Sequence, residues 1–513
     1  MTENLTNGAM KSRMNDRAIG AVLGSAAGDA LGSQYEFGPS MPDTAAVTFG
    51  IGHFGHGLGE WTDDTSMAMP MLLALSRGES LGDPETLGRI VAEWREWSLA
   101  SRDVGNQTRA VLGALAGDYT EQNARAVSKA HHERSNRSGG NGSLMRTGPV
   151  ALGYLADGQE QQLADVAGRI AQLTHWEDDN VDACVLWCLA IRHAIRTGEL
   201  DIRGQLAWVP EERRARWTSL IDEALVPGVH PRDFSRNNGW VVAAFQAALA
   251  AVAGASVGAS DGTDAAAGHS AGAAPGTQAT AALTQLVDAL ERAIRGGNDT
   301  DTVAAIAGSL AGALWGATQV PLAFKRVLHG WPGLDANDLT NLALLATRGG
   351  ASTRDGWPTG ERMPTNRFLH TAPRQHPHDG GVWLGSLSAL DELPPGVSAV
   401  VSLSRVGAKQ VPDAVESIRV WLVDEAGHNA NLDFVLTDAA DTIAALRAEG
   451  KQVFMHCAEA RSRTAAVAAL YGMRHRGIAE VQAWEDVADV LPHFAPAQFH
   501  RDAVARISGE NAR

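Results

Sequence analysis

Two glycine ladders constrain this chain more than any other feature. Gly20, Gly24, Gly28 and Gly32 recur every fourth residue, and Gly308, Gly312 and Gly316 repeat the spacing. Residues four apart share one face of a helix, so each segment carries a stripe without side chains. Each glycine costs about 1 kcal/mol of helix propensity. A partner backbone lying very close would offset that cost. The ladders therefore predict two helices packed at the centre of a helical domain, next to its site; the alternative is that each glycine face simply meets some other helix. The flanking sequence is also helical in pattern. RAIGAVLGSAAGDALG, TSMAMPMLLALSRG, LGRIVAEWREWSLA and VDACVLWCLAIRHAIRTG place apolar residues at helical spacing. Pro70 sits early in the second of these and predicts a kink or a late start.

The chain has 513 residues, too many for one ordinary core. Its texture divides it. Residues 1–16 are polar and are expected to be disordered. Residues 17–348 read as an all-α domain, with a low-complexity Ala/Gly/Ser/Thr stretch at 253–281 expected to be a flexible insertion. Residues 349–375 are rich in Gly, Pro and Arg and read as a linker. From 376 to 513 the pattern becomes α/β: VWLGSL, VSAVVSLS, IRVWLV and KQVFMHC are short β-rich runs between helical segments, which predicts a central, mostly parallel sheet.

Charge and cysteine content narrow the setting. The net charge of −16 disfavours stable binding to nucleic acid or acidic lipid, yet allows a local basic pocket. No segment has the character of a membrane span. Cys184, Cys188 and Cys457 are too few for a disulfide framework, and a cytoplasmic location is expected. Cys184 and Cys188 share one helix face and read as buried small hydrophobes.

Two acidic segments carry the first chemistry. Glu60-Trp61-Thr62-Asp63-Asp64-Thr65 and Arg295-Gly296-Gly297-Asn298-Asp299-Thr300-Asp301-Thr302 each gather hard oxygen donors where an apolar helix begins. Mg²⁺ and Mn²⁺ favour such donors. Thr62, Asp63 and Asp299 also suit helix N-caps, and spacing alone leaves both readings open. A third segment, Ser138 to Pro149, is rich in small residues whose backbone N–H groups can approach an anion, with Arg137 and Arg146 as added charge.

In order, GAVLGSAAGDALGSQYE, WTDDTSM, SGGNGSLMR, LTHW, GGNDTDT and AGALWGA resemble the ADP-ribosylglycohydrolase family over about residues 17–347. The resemblance implies an all-α fold and two Mg²⁺ or Mn²⁺ ions held by Thr62, Asp63, Asp64, Asp299, Asp301 and Thr302, with Asp63 also in the catalytic set. It implies Glu36 over the substrate ribose as an acid/base or gate. Gly139, Gly140, Asn141, Gly142, Ser143, Met145 and Arg146 would hold the ADP-ribose, with His175 close by. The implied reaction is hydrolysis of the bond joining ADP-ribose to a protein, nucleic acid or small-molecule acceptor. Glu177, Asp178 and Asp179, after the His motif, depart from the family by their acidity.

The second chemistry is His456-Cys457-Ala458-Glu459-Ala460-Arg461-Ser462-Arg463-Thr464. A β-rich run leads in and a helix follows. A cysteine at such a turn feels the helix N-terminus and a nearby arginine, which favours the thiolate. Backbone N–H groups of residues 458–462 can ring a phosphate, and Arg463 can clamp two of its oxygens. The segment resembles the dual-specificity and tyrosine phosphatase superfamily, over about residues 380–507. That implies a phosphorylated substrate, Cys457 as nucleophile, Arg463 as clamp, Thr464 as aid to thiolate departure and Asp424 as general acid, with Glu425 its rival. Ala460 departs from the family, which often has Gly there, and predicts a constricted or strained loop. The alternative is a C-terminal domain that only binds phosphorylated partners. The run Arg374 to Asp379 reads as a solvated turn, and Glu211 to Arg216 as a solvated helix face.

Overall fold

The computed structural model describes residues 2–135, 138–258 and 284–510. Its first part contains α1 (Thr2–Gly32), α2 (Asp63–Ser76), α3 (Pro84–Ala100), α4 (Asn106–Gly113), α5 (Glu121–Ser135), α6 (Glu160–Gln172) and α7 (Asp178–Thr197). It continues with α8 (Glu211–Ala224), α9 (Val241–Gly258), α10 (Gln285–Arg295), α11 (Thr300–Trp315), α12 (Leu322–Lys325) and α13 (Ala336–Ala346). Strands β1 (His329–Gly330) and β2 (Leu334–Asp335) pair as a two-residue antiparallel ladder, a small exception to the all-α expectation.

Helix α11 is the central post. It is buried from Thr300 to Leu314, and α1, α7, α9 and α10 pack around it. The two glycine ladders meet each other. A Cβ on Gly20 would stand on the Gly312 carbonyl oxygen, one on Gly24 on that of Gly308, and one on Gly28 on that of Ala304. The stripes let two backbones touch, and that contact offsets the propensity cost. Gly32 ends the seam against the backbone of Asp301, so the same contact sets the position of the acidic helix start.

Several expectations are corrected. Residues 2–16 are helical and belong to α1. Asp16 is buried and accepts from the Thr318 backbone N–H (3.0 Å) and hydroxyl (2.6 Å), an anchor from distant sequence that a polar tail does not advertise. Of the stretch 253–281, residues 253–258 continue α9, and 259–281 fall outside the described residues. Helix α2 starts at Asp63 and runs through Pro70 to Ser76, so Pro70 marks no late start. Trp357 and Met363 are buried in the same core as the helices, so 349–375 is packed chain rather than a free linker. Cys184 and Cys188 are fully buried, as expected.

The C-terminal part holds β3 (Arg374–His376), β4 (Asp379–Ser386), β5 (Val397–Ser402), β6 (Glu416–Arg419) and β7 (Gln452–Cys457). With them are α14 (Leu432–Ala448), α15 (Arg463–Arg476), α16 (Glu480–Val490) and α17 (Gln498–Glu510). The sheet order is β3-β4-β7-β5-β6, parallel except for β3 against β4. His376 is therefore a buried edge-strand residue, its ring against the Ala468 carbonyl (3.0 Å), and not part of a solvated turn.

Alternation along the strands builds two layers. Ala399, Val401, Val453 and Met455 pack among themselves with α14 and α15 residues such as Ile443 and Val467. Their neighbours Val400 and Phe454 join the core that continues into the helical part. The halves are also tied by polar bonds. Asn431 donates to the Trp315 carbonyl (3.0 Å), the Leu322 N–H donates to Asp438 (2.8 Å), and Arg326 pairs with Glu416 (2.6 Å) and Glu449 (2.8 Å).

Candidate functional sites

The helical part brings seven carboxylates together. Asp63 and Asp64 open α2, while Asp299 and Asp301 stand at the start of α11, more than 230 residues away in sequence. Thr62 and Asp299 occupy N-cap positions, but neither side chain makes the cap hydrogen bond. Neither caps its own helix; the first turn of α2 is capped from outside by Asp29, which accepts from the Thr65 N–H. Thr302 hydrogen-bonds Asp64, and Asp301 feels Asp64, Glu36 and Asp299. Ligand oxygens of Glu36, Asp103 and Asp301 lie within 4.8 Å of one another.

Two members were not found by sequence reasoning. Asp29 is fully buried at the foot of the cluster. It accepts from the Thr62 N–H (2.9 Å), the Thr62 hydroxyl (2.7 Å) and the Thr65 N–H (2.9 Å), and so locks the first turn of α2. Its place on the glycine-ladder helix was the available signal. Asp103 comes from the loop after α3, where nothing local marks it.

Burial and mutual repulsion push this set toward protonation. Glu36 is raised to about 8, by burial first and then by Asp103, Asp299 and Asp29. Asp63, Asp64 and Asp301 are raised for the same reasons. Asp64 Oδ1 is buried and has no hydrogen-bond partner. A set of hard oxygens with an orphaned buried acceptor and too much negative charge fits divalent cations.

The glycine-rich loop lies beside this cluster. Asn141 donates to Asp299 (2.8 Å) and to the Asn238 carbonyl (2.9 Å). Asn180 donates to Ser143 (2.8 Å). His175 is buried against the loop, where a Cβ on Gly140 or Gly142 would press on its ring, and burial holds it neutral. Gly139 is backed by Glu177, whose carboxylate also accepts from the Ser138 N–H (3.1 Å).

Met145 is buried as well. Arg146 corrects an expectation. It is fully buried beneath the loop, donates to Thr174 (2.6 Å), and stacks 4.0 Å over Trp94. It supports the loop from below rather than offering charge to a ligand. Arg137 lies outside the described residues. Asp179 and Asp182 pair with Arg213, and Asp179 also with Arg216, so the acidic motif and the Glu211–Arg216 run brace each other.

The cysteine loop joins β7 to α15. Cys457 is buried at the strand end. Arg463 is anchored through Nη1 to the carbonyls of Leu403 (2.9 Å) and Leu422 (3.0 Å), and its buried Nε faces Asp424. Asp424 lies 3.4 Å from that guanidinium. Glu425 is instead turned to His428 (3.4 Å). The Thr464 hydroxyl is buried and unpartnered. The Thr371 hydroxyl donates to the Glu459 carbonyl (2.9 Å), the Leu387 N–H to that of Ala458 (3.2 Å), and the Ala495 N–H to that of Arg461 (3.1 Å). The Ala497 N–H donates to Ser462 Oγ (3.1 Å).

Ala460 is fully buried with φ 59°. The left-handed conformation costs an alanine about 1–2 kcal/mol. Glycine would relieve that, but would lose about 0.8 kcal/mol of methyl burial and about 0.4–1 kcal/mol through unfolded-chain entropy. The terms nearly cancel. We expect Ala460→Gly to change stability in urea by less than about 0.5 kcal/mol, and Ala460→Val to cost more than about 2 kcal/mol. Valine tolerated without loss would disprove the strained loop.

His456, just before the cysteine, accepts from the Ser402 hydroxyl (2.8 Å) and donates from Nδ1 to the Cys457 carbonyl (3.2 Å), a pattern that one neutral tautomer satisfies. Burial lowers its pKa to about 4. The unfolded chain takes up that proton near pH 6.5 and the folded chain near 4. Stability is therefore full above pH 6.5 and falls as pH drops toward 4, by up to about 3 kcal/mol. Urea titrations from pH 7 to 4 should show this slope, shared with the buried His230 and His500, and His456→Asn should reduce it. An unchanged slope would place the acid sensitivity elsewhere.

The fold and its acidic centre define a hydrolase class, and residues 10–354 match the family model "ADP-ribosylglycohydrolase". The chain belongs to that family. Among its relatives, ADP-ribosylarginine hydrolase Tri1 of Pseudomonas putida is 31% identical over 312 residues, 60% of this chain and 72% of the relative. Human ADP-ribosylhydrolase ARH3 is 26% identical over 348 residues, 63% and 92% of the two chains. A solved structure of human DUSP28 aligns with 28% of this chain and all of its own, at 24% identity and TM-score 0.25.

Proposed function

We propose that the helical part hydrolyses the bond between ADP-ribose and an acceptor, using two divalent cations, Mg²⁺ or Mn²⁺. The convergence of acids from α2 and α11 carries this reading. Thr62, Asp63, Asp64, Asp299, Asp301 and Thr302 would hold the ions, which when bound supply an acidified water and charge stabilisation. Asp29 fixes Thr62 and the first turn of α2. Asn141 holds Asp299 in place, and Glu36, half-buried beside the cluster, is placed to exchange a proton beside the ribose. Arginine is the first acceptor to test, since Tri1 is named for it. ADP-ribose release from ADP-ribosylarginine should require Mg²⁺ or Mn²⁺; equal release in excess chelator rejects the mechanism.

For the C-terminal part we propose cysteine-dependent hydrolysis of phosphate monoesters. The Cys457 thiolate attacks phosphorus and the P–O bond to the leaving group breaks. Asp424 gives the departing oxygen its proton. Water then attacks the phosphocysteine, releasing phosphate and the thiolate, whose departure Thr464 assists. Backbone N–H groups of Ala458, Glu459, Ala460, Arg461 and Ser462, with Arg463, bind the phosphoryl oxygens. The anchored Arg463 and unpartnered Thr464 favour turnover over mere binding. Cys457→Ser should abolish release of nitrophenol from p-nitrophenyl phosphate, by at least ~10³-fold. Retained activity there would place the chemistry elsewhere. A wild type that binds phosphate without turnover would favour a binding domain.

A further inference from the structure

A cavity of about 850 Å³ opens beside the cysteine loop, and both halves of the chain line it. Ala458, Asp424 and Arg463 stand on its wall, together with Asn15 and Ile19 of α1 and Asn341 of α13. That volume suits a small ligand. Its polar lining is unusual in one respect. Arg348 Nη1, Ser404 Oγ, Ser417 Oγ, Arg419 Nε and Trp421 Nε1 are all buried without a hydrogen-bond partner, and all five residues line this cavity, whereas Arg463 Nε faces Asp424 at 3.4 Å. Three of these atoms can only donate. A buried donor left unmet is destabilising, so three around one space call for an acceptor-rich, anionic occupant.

The carboxylates lining the cavity, apart from the exposed Asp413, have partners. Glu416 is held by Arg326 and Lys451, Asp335 and Asp338 form the capping box of α13, and Asp424 lies against Arg463. Arg463 serves one phosphate. Arg348 stacks over Trp357 and Arg419 feels Asp335 and Asp338, but Arg348 Nη1, Arg419 Nε and Trp421 Nε1 keep unused donors for a second anionic group of the same molecule.

We infer that the Cys457 site acts on a small metabolite carrying a second anionic group besides the scissile phosphate, held between the two halves, rather than on phosphoprotein. This rests on the phosphatase reading above. The test uses the full chain with three substrates: adenosine 3′,5′-bisphosphate, p-nitrophenyl phosphate and a phosphotyrosine peptide. The bisphosphate should have a kcat/KM at least tenfold above the peptide. Relative to p-nitrophenyl phosphate, that advantage should fall at least tenfold in Arg419→Gln and in Trp421→Phe, which removes the indole N–H together with part of the ring. Calorimetry on Cys457→Ser should show the bisphosphate binding at least tenfold tighter than inorganic phosphate, a readout independent of turnover and of the other variants. Cysteine-dependent turnover that favours the peptide, or equal binding of bisphosphate and phosphate, overturns the inference. Turnover that survives Cys457→Ser overturns the phosphatase reading instead.

Discussion

Asp301→Asn should lower ADP-ribose release by at least ~10³-fold, a loss of about 4 kcal/mol of transition-state stabilisation, without unfolding the protein. The side chain is buried and its carboxylate meets Glu36, Asp103, Asp64 and Asp299, so an isosteric amide keeps the packing. What it removes is one negative charge from the proposed metal site. The effect on stability has the opposite sign. Burial and like charge already raise the carboxyls around it, so the metal-free protein gains by losing one charge. Metal-free Asp301→Asn should therefore melt at or above the wild-type temperature. Wild type should be stabilised by Mg²⁺ or Mn²⁺, by about 2.7 kcal/mol at a hundred times Kd, and the variant should lose most of that gain. Asp64→Ala should behave alike in activity, since Asp64 Oδ1 has no protein partner to satisfy. A variant with wild-type activity and the full metal-induced shift would remove the α2–α11 centre from the reaction.

What could be read beforehand was whatever has a period or a local motif. The ladder of Gly20 to Gly32 repeats in sequence because helix faces repeat in space, and the acidic runs announce themselves at helix starts. The Cys457 loop was legible because strand, turn and helix are contiguous. Residues that act through tertiary contact left no such trace. Asp103 reaches the cluster from a loop, and Asp16 is anchored by Thr318, some 300 positions later. Arg146 looked like an anion ligand because glycines surround it, yet Trp94 draws it inward, a contact no spacing encodes. The 349–375 segment has linker composition, but Trp357 carries Arg348 over its ring at 5.0 Å and Arg405 at 5.1 Å. Its docking is decided by a few large side chains in a polar run.

Gly312→Val should leave no folded protein, and Gly312→Ala should cost at least ~3 kcal/mol. Propensity alone argues the reverse, since alanine in a helix interior is worth about 1 kcal/mol over glycine. Sterics decide the sign. A Cβ on Gly312 would stand on the carbonyl oxygen and carbon of Gly20, and these are backbone atoms with no rotamer to yield. The seam continues through Gly308 against Gly24 and Ala304 against Gly28 to Asp301 against Gly32. Separating α1 from α11 at Gly312 therefore tilts the helix whose first turn carries the acidic cluster, and moves Asp29 relative to Asp301. Activity should fall with stability rather than after it, and metal should stabilise the alanine variant less than wild type. Urea unfolding and metal-dependent melting on the same preparations test both halves of this argument. If Gly312→Ala proves about 1 kcal/mol more stable than wild type, the two backbones do not touch, and the seam does not hold the two acidic helix starts in register.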